Sequence, residues 1–107
     1  MEENKMTEQA MSLIAFGGDA KSSAMEAIYA AKKGDFDNAE QKVAQAQQSL
    51  TEAHQIQTTM LTEEAQGNHH ELTLLTVHSQ DHLMTAIAFN DIAKEMIDLY
   101  KEVKGQN

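Results

Sequence analysis

Proline is absent from this chain, and glycine stands only at positions 17, 18, 34, 67 and 105. Those are the two residues that most readily stop a helix, so helices here can run long before anything interrupts them. Gly34 and Gly67 divide the sequence into three stretches of similar length. Between them the chain is rich in Ala, Gln, Glu, Met and Leu, all good helix formers, and only 5% of its residues are aromatic. That balance favours helix and argues against a β-sandwich or barrel.

Three- and four-residue steps between apolar positions place the helices. The first is expected from about Thr7 to Lys33, with Met11, Ile14, Ala24, Met25 and Ile28 on its inner side. Gly17-Gly18-Asp19 in its middle predicts either a kink or the close approach of another backbone. Gly34 suits the position just past a last helical turn, and Asp35 or Asp37 suits the N-cap of the next helix. That second helix, 36–66, carries Phe36, Ala39, Val43, Ala46, Leu50, Ala53, Gln57 and Met60 on one face, and Gly67-Asn68 breaks it. The third, 70–103, follows the steps Leu75, His78, His82, Thr85, Phe89, Ile92, Met96, Leu99 and Val103. Helices of roughly 25–33 residues span about 40–50 Å. Short connections make each fold back on the last. The expected fold is a single all-α domain over 1–107, three long antiparallel helices running up, down and up. Alanine-rich helices bury little per residue, and apolar side chains on more than one face leave surface over. A homo-oligomeric bundle follows.

The formal net charge of −9 excludes nucleic acid and anionic membrane as natural partners, since both need a basic footprint. It suits a partner with a basic docking face. With no cysteine there is no disulfide and no thiolate chemistry. No signal peptide and no membrane-spanning apolar run is legible, so a soluble cytoplasmic protein with no membrane insertion is expected.

Chemistry concentrates at Val77-His78-Ser79-Gln80-Asp81-His82-Leu83-Met84-Thr85. On the expected seam, two successive turns are occupied by imidazoles, and a buried polar group costs free energy unless something satisfies it. Histidines four apart share one helix face and could hold a transition metal with a third ligand. A neutral imidazole is also a good nucleophile near pH 7. Spacing leaves structural, metal-binding and nucleophilic roles open. Of the others, His54, in line with Leu50 and Leu61, reads as a hydrogen-bonded structural histidine. His69 and His70 read as solvent-exposed, and the methionines at 11, 25, 60, 84 and 96 as core filler.

The block Leu74-Leu75-Thr76-Val77-His78-Ser79-Gln80-Asp81-His82-Leu83-Met84-Thr85 resembles the signature of the enzyme IIA component of the lactose/cellobiose (N,N′-diacetylchitobiose) class of the phosphoenolpyruvate-dependent sugar phosphotransferase system. Gly18-Asp19-Ala20-Lys21-Ser22 resembles that family's Gly-Asp/Asn-x-Arg/Lys-Ser, Glu52-Ala53-His54 with Gln57-Thr58 its second-helix motif, and Ile97-Asp98-Leu99-Tyr100 its C-terminal helix. The similarity runs from about Thr7 to Val103. It implies a homotrimer of three-helix protomers. It also implies that His78 accepts a phosphoryl group on Nε2 from HPr and passes it to the IIB component, serving uptake of a β-linked disaccharide. Asp81 would point to the trimer axis and share a structural divalent metal ion, Mg2+ by expectation. Gln80 and His82 are candidates for contacting the phosphoryl group or orienting the ring. Two other classes are set beside this one: a histidine phosphotransfer domain, which lacks support from Ser79-Gln80-Asp81-His82, and a metal-stabilised helical scaffold.

Overall fold

The computed structural model describes residues 2–69 and 71–105. It consists of helices α1 (Glu2–Lys32), α2 (Phe36–Ala65) and α3 (Leu74–Gly105). They form a rod of 58 × 20 × 20 Å. Ion pairs and side-chain hydrogen bonds give the sense of each crossing. Lys5–Glu63 (3.1 Å) and Lys42–Glu26 (2.7 Å) run α2 antiparallel to α1. Gln57–Gln80 (2.8 Å), Lys94–Gln47 (3.2 Å) and Lys101–Glu40 (2.6 Å) run α3 antiparallel to α2. The expected up-down-up path is therefore the observed one.

Local chemistry terminates the elements. After α1, Gly34 adopts φ 86°, Gly34 N–H bonds to Ala31 O and Asp35 N–H to Ala30 O, both at 2.9 Å. This 6→1 and 5→2 pair is the Schellman ending, which needs a left-handed residue and hence a glycine. Gly67, at φ 95°, repeats it after α2, with Gly67 N–H on Glu64 O and Asn68 N–H on Glu63 O, both at 3.0 Å. Asp35 caps α2 by accepting from Asn38 N–H at 3.3 Å. The third helix starts at Leu74, four residues later than the expected His70, which itself lies outside the described residues. A reciprocal cap sets that start: Thr73 Oγ1 accepts from Thr76 N–H (3.1 Å), and Thr76 Oγ1 accepts from Thr73 N–H (3.0 Å). The motif is a capping box with threonine in both places. At the other end of the chain, α1 begins at Glu2 rather than near Thr7.

The core is built mostly from alanine, with Leu13, Leu83 and Ile97 its largest fully buried apolar side chains. Small residues let the helices sit close together, and α1 packs extensively against both α2 and α3 while the α2–α3 seam is thin. Several expected inner positions are corrected by this packing. Ala24 and Ile28 are buried as expected and Ile14 is half-buried, but Met11 and Met25 are exposed, and α1 also buries Ala10, Leu13, Ala20, Ala27 and Ala31. Of the methionines read as filler, only Met60 is buried and Met96 half-buried, whereas Met84 is exposed. The second-helix face is borne out, with Ala39, Ala46, Leu50, Ala53 and Met60 buried.

The largest correction concerns α3. Its buried stripe is Thr76, Ser79, Leu83, Ala86, Asn90, Ala93 and Ile97, offset by one residue from the expected seam. Both stripes have three- and four-residue steps, so periodicity alone does not choose between them. Asn90 decides the matter against intuition, because it is 1% exposed and neither end of its amide has a hydrogen-bond partner. Burying an unsatisfied amide costs about 1–3 kcal/mol. Asn90→Leu, similar in shape and apolar, should therefore raise unfolding stability by about that amount, read as a higher urea midpoint at unchanged m-value.

Candidate functional site

A helix places residues four apart on one face and residues two apart about 200° away. The consequence for α3 is direct. His78 and His82 stack along one edge, with ring centroids 4.8 Å apart and planes at 76°. Gln80 leaves on another side. Its Oε1 accepts from Gln57 Nε2 of α2 at 2.8 Å, and its Nε2 approaches Met60 Sδ at 3.8 Å. Gln57 Nε2 also reaches Met84 Sδ at 3.9 Å. Within one protomer the two histidines are brought together, and Gln80 is turned to the α2–α3 seam.

Burial distinguishes the histidines. His78 is exposed and His82 half-buried. The seam reading had placed both in the core; the one-residue offset of the buried stripe lifts His78 to the surface, where a second protein can reach it. His82 keeps one edge inside: its Nδ1 is buried with no hydrogen-bond partner. Opposite that edge runs α1 at Gly17, where a Cβ would stand 3.2 Å from His82 O and 3.7 Å from His82 Nδ1. The glycine pair was expected to kink the helix or admit a backbone. Helix α1 is continuous through it, and the close approach is the outcome.

His54 is exposed, not the hydrogen-bonded structural histidine expected, and His69 is exposed as expected. Asp81 is exposed on α3. Among the described residues no group of three or more His, Asp or Glu is arranged to hold a metal ion. The i, i+4 histidine pair therefore gains no third ligand from its own protomer. Asp81 belongs instead to an uncovered stripe, since Leu74, Val77, Met84, Ile92, Leu99 and Val103 flank its line along α3 and are all exposed. On the side of α3 that Gln80 occupies, Met60, Leu61, Leu72, Thr76, Val77 and Gln80, with Glu64 and Glu71, line a shallow cleft of about 220 Å3. An exposed imidazole with a second ring against it is a site fit for reversible transfer of a small group between proteins.

Two features escaped the sequence. Thr73 and Thr76 set where α3 begins, and the signal for them was the spacing of a capping box. The Gly17–His82 contact had only half a signal, a glycine with no indication of its partner.

No helix of the described residues is long and apolar enough to cross a membrane. Known proteins bear closely on this geometry. The model of the family described as "PTS system, Lactose/Cellobiose specific IIA subunit" matches residues 8–101. The lichenan-specific phosphotransferase enzyme IIA component of Bacillus subtilis (strain 168) is 48% identical over 94 residues, spanning 88% of this chain and 86% of that one. The crystal structure of the cellobiose-specific enzyme IIA from Bacillus anthracis superposes with a TM-score of 0.92 at 39% identity, covering 94% of this chain and 92% of that one. The IIA component in the solution structure of the Escherichia coli IIA(Chitobiose)–HPr complex superposes at 0.81 with 35% identity, covering 92% and 96%. With the fold and nearly the whole length in common, this chain belongs to the lactose/cellobiose-specific IIA family of the sugar phosphotransferase system.

Proposed function

We propose that His78 is the residue that carries the phosphoryl group, receiving it from phosphorylated HPr and handing it to a IIB component for uptake of a β-linked disaccharide. The exposed His78 ring beside half-buried His82 is the observation that carries this reading. A related IIA is known in complex with HPr, and relatives serve lichenan, cellobiose and chitobiose systems. In the transfer, the lone pair on His78 Nε2 forms a bond to phosphorus as the donor's P–N bond breaks. The electron pair of that bond returns to the donor imidazole, so no proton need cross between proteins. Such a loose, in-line displacement asks the protein chiefly for alignment and charge stabilisation. His82 supplies a hydrogen-bond donor next to the transferred group. Gln80, through Gln57, holds α3 to α2.

The assembly belongs to the same proposal. The uncovered stripe of α3 packs against two further copies in a homotrimer, and Asp81 sits within that stripe. Three carboxylates converging on one axis would repel, and a divalent cation such as Mg2+ shared by the three removes that cost. Asp81 is exposed, and among the described residues no group of three or more His, Asp or Glu is arranged to hold a metal, which fits a site that exists only between copies. Chelation should then shift the native protein towards monomer in sedimentation velocity, whereas Asp81→Leu should stay assembled with or without chelator. An assembly indifferent to chelation in both would remove the metal from the reading.

Incubation with phosphoenolpyruvate, enzyme I and HPr, followed by intact-protein mass spectrometry, tests the central reading. One phosphoryl group should be gained per chain and lost again when a IIB component is added. No gain, with HPr shown to be phosphorylated, would overturn it.

A further inference from the structure

We infer that Gly17 is a positioning residue for phosphoryl transfer, acting through His82; the inference rests on the reading of His78 given above. Three observations meet here. A Cβ at Gly17 would lie 3.2 Å from His82 O and 3.4 Å from His82 C, both backbone atoms of α3. It would also lie 3.7 Å from His82 Nδ1, and that nitrogen is buried without a hydrogen-bond partner. The neighbouring Gly18 has nothing within 4 Å of the same construction, so the contact is specific to position 17.

The chemistry follows from what a buried nitrogen can tolerate. An N–H sealed against α1 with no acceptor would forfeit a hydrogen bond that water had supplied, whereas a bare lone pair costs less. The neutral His82 ring therefore keeps its proton on Nε2. The ring as a whole is half-buried, and Nε2, unlike Nδ1, is not a buried atom left without a partner. It is then a donor on a ring whose centre lies 4.8 Å from that of His78. The absence of a side chain at position 17 does two things at once: it sets how deeply the His82 turn of α3 sits, and it keeps the ring in the tautomer that can donate to a phosphoryl oxygen on His78.

Crowding position 17 moves both. Alanine there needs α3 to give by a few tenths of an ångström, while a β-branched side chain needs more. A misplacement approaching 1 Å at a transfer site costs on the order of 10²-fold in rate. Gly17→Val should accordingly slow phosphoryl acceptance from phospho-HPr by on the order of 10²-fold, and Gly17→Ala by only about threefold to tenfold.

The experiment pairs 15N-histidine NMR of the unphosphorylated native protein with rapid-quench phosphorylation by phospho-HPr. The expected spectrum assigns His82 as the Nε2–H tautomer. The His82 and His78 ring shifts should move progressively in Gly17→Ala and Gly17→Val and stay in place in Gly18→Ala. Finding the proton on Nδ1 would overturn the inference. So would shifts and rates in Gly17→Ala equal to those of the native protein, a comparison that stands even if Gly17→Val does not fold. A native protein that accepts no phosphoryl group at all defeats the carrier reading itself, and with it this one. A phosphorylated native protein with an Nδ1–H His82 defeats only the role of Gly17.

Discussion

An H78A variant should accept no phosphoryl group from phospho-HPr, a loss beyond about 10³-fold, while its helices, assembly and melting temperature stay those of the native protein. The two halves of that result have different causes. Without the imidazole there is no lone pair to receive phosphorus, and neighbouring residues cannot replace a bond-forming atom. Stability survives because His78 is exposed and shares only a ring contact with His82. Surface substitutions of that kind stay within about 0.5 kcal/mol. Intact-mass measurement reads the first half and circular dichroism the second. Phosphorylation persisting in H78A would move the carrier to His82, the other imidazole on that edge. Unfolding of H78A would instead give His78 the structural role that its exposure denies. An H82A variant separates donor from carrier: it should still be phosphorylated, at a rate reduced by about 10²-fold, the usual cost of losing one preorganised donor.

The second large effect lies one residue further along. Leu83 is fully buried between the histidine edge and the alanine-lined core, and Leu83→Ala should destabilise the protein by about 2–5 kcal/mol. Closely packed helices relax poorly around a deletion, so both the lost transfer energy and the cavity term count. For a domain whose whole stability is about 5–15 kcal/mol, that is a large fraction. A fall in Tm of about 10–30 °C should accompany it. Ile92→Ala is the informative partner, because Ile92 is more than half exposed in the protomer, at 58%. Its effect should come through assembly and grow as the protein is diluted, as linkage to oligomerisation requires. Equal losses at every concentration for both variants would mean that the α3 stripe carrying Ile92 is not an interface.

Much of the fold could be read before the structure was seen. Gly34 and Gly67 terminate helices because each ending needs a left-handed residue, a property of those glycines themselves. The face of α2 was legible because only one stripe of that helix is apolar. On α3 two apolar stripes run side by side, one through Leu83, Ala86, Ala93 and Ile97 and the other through Val77, Met84, Ile92 and Leu99. The sequence pattern cannot say which of them faces the protomer and which faces elsewhere. The expected seam through Leu75, His78, His82 and Phe89 runs between the two, and three- and four-residue steps do not supply the one-residue shift that exposes His78.

The candidate site divides in the same way. That His78 and His82 share a face is a matter of helical pitch, and residue spacing alone determined it. The family was equally legible, since the block from Leu74 to Thr85 is contiguous and needs no folding to be matched. Gln80 lies between the histidines in sequence yet joins Gln57 across the α2–α3 seam, because two residues turn a helix more than halfway round. Gly17 and His82 lie 65 positions apart and meet only because α1 and α3 run side by side. Local rules, which depend on neighbours within a turn or two, determined the helices, their endings at Gly34 and Gly67, and the face that His78 and His82 share. Tertiary packing alone decided which stripe of α3 is buried, which histidine is exposed, and which edge of the other is sealed against α1, because those depend on how far apart the helices stand.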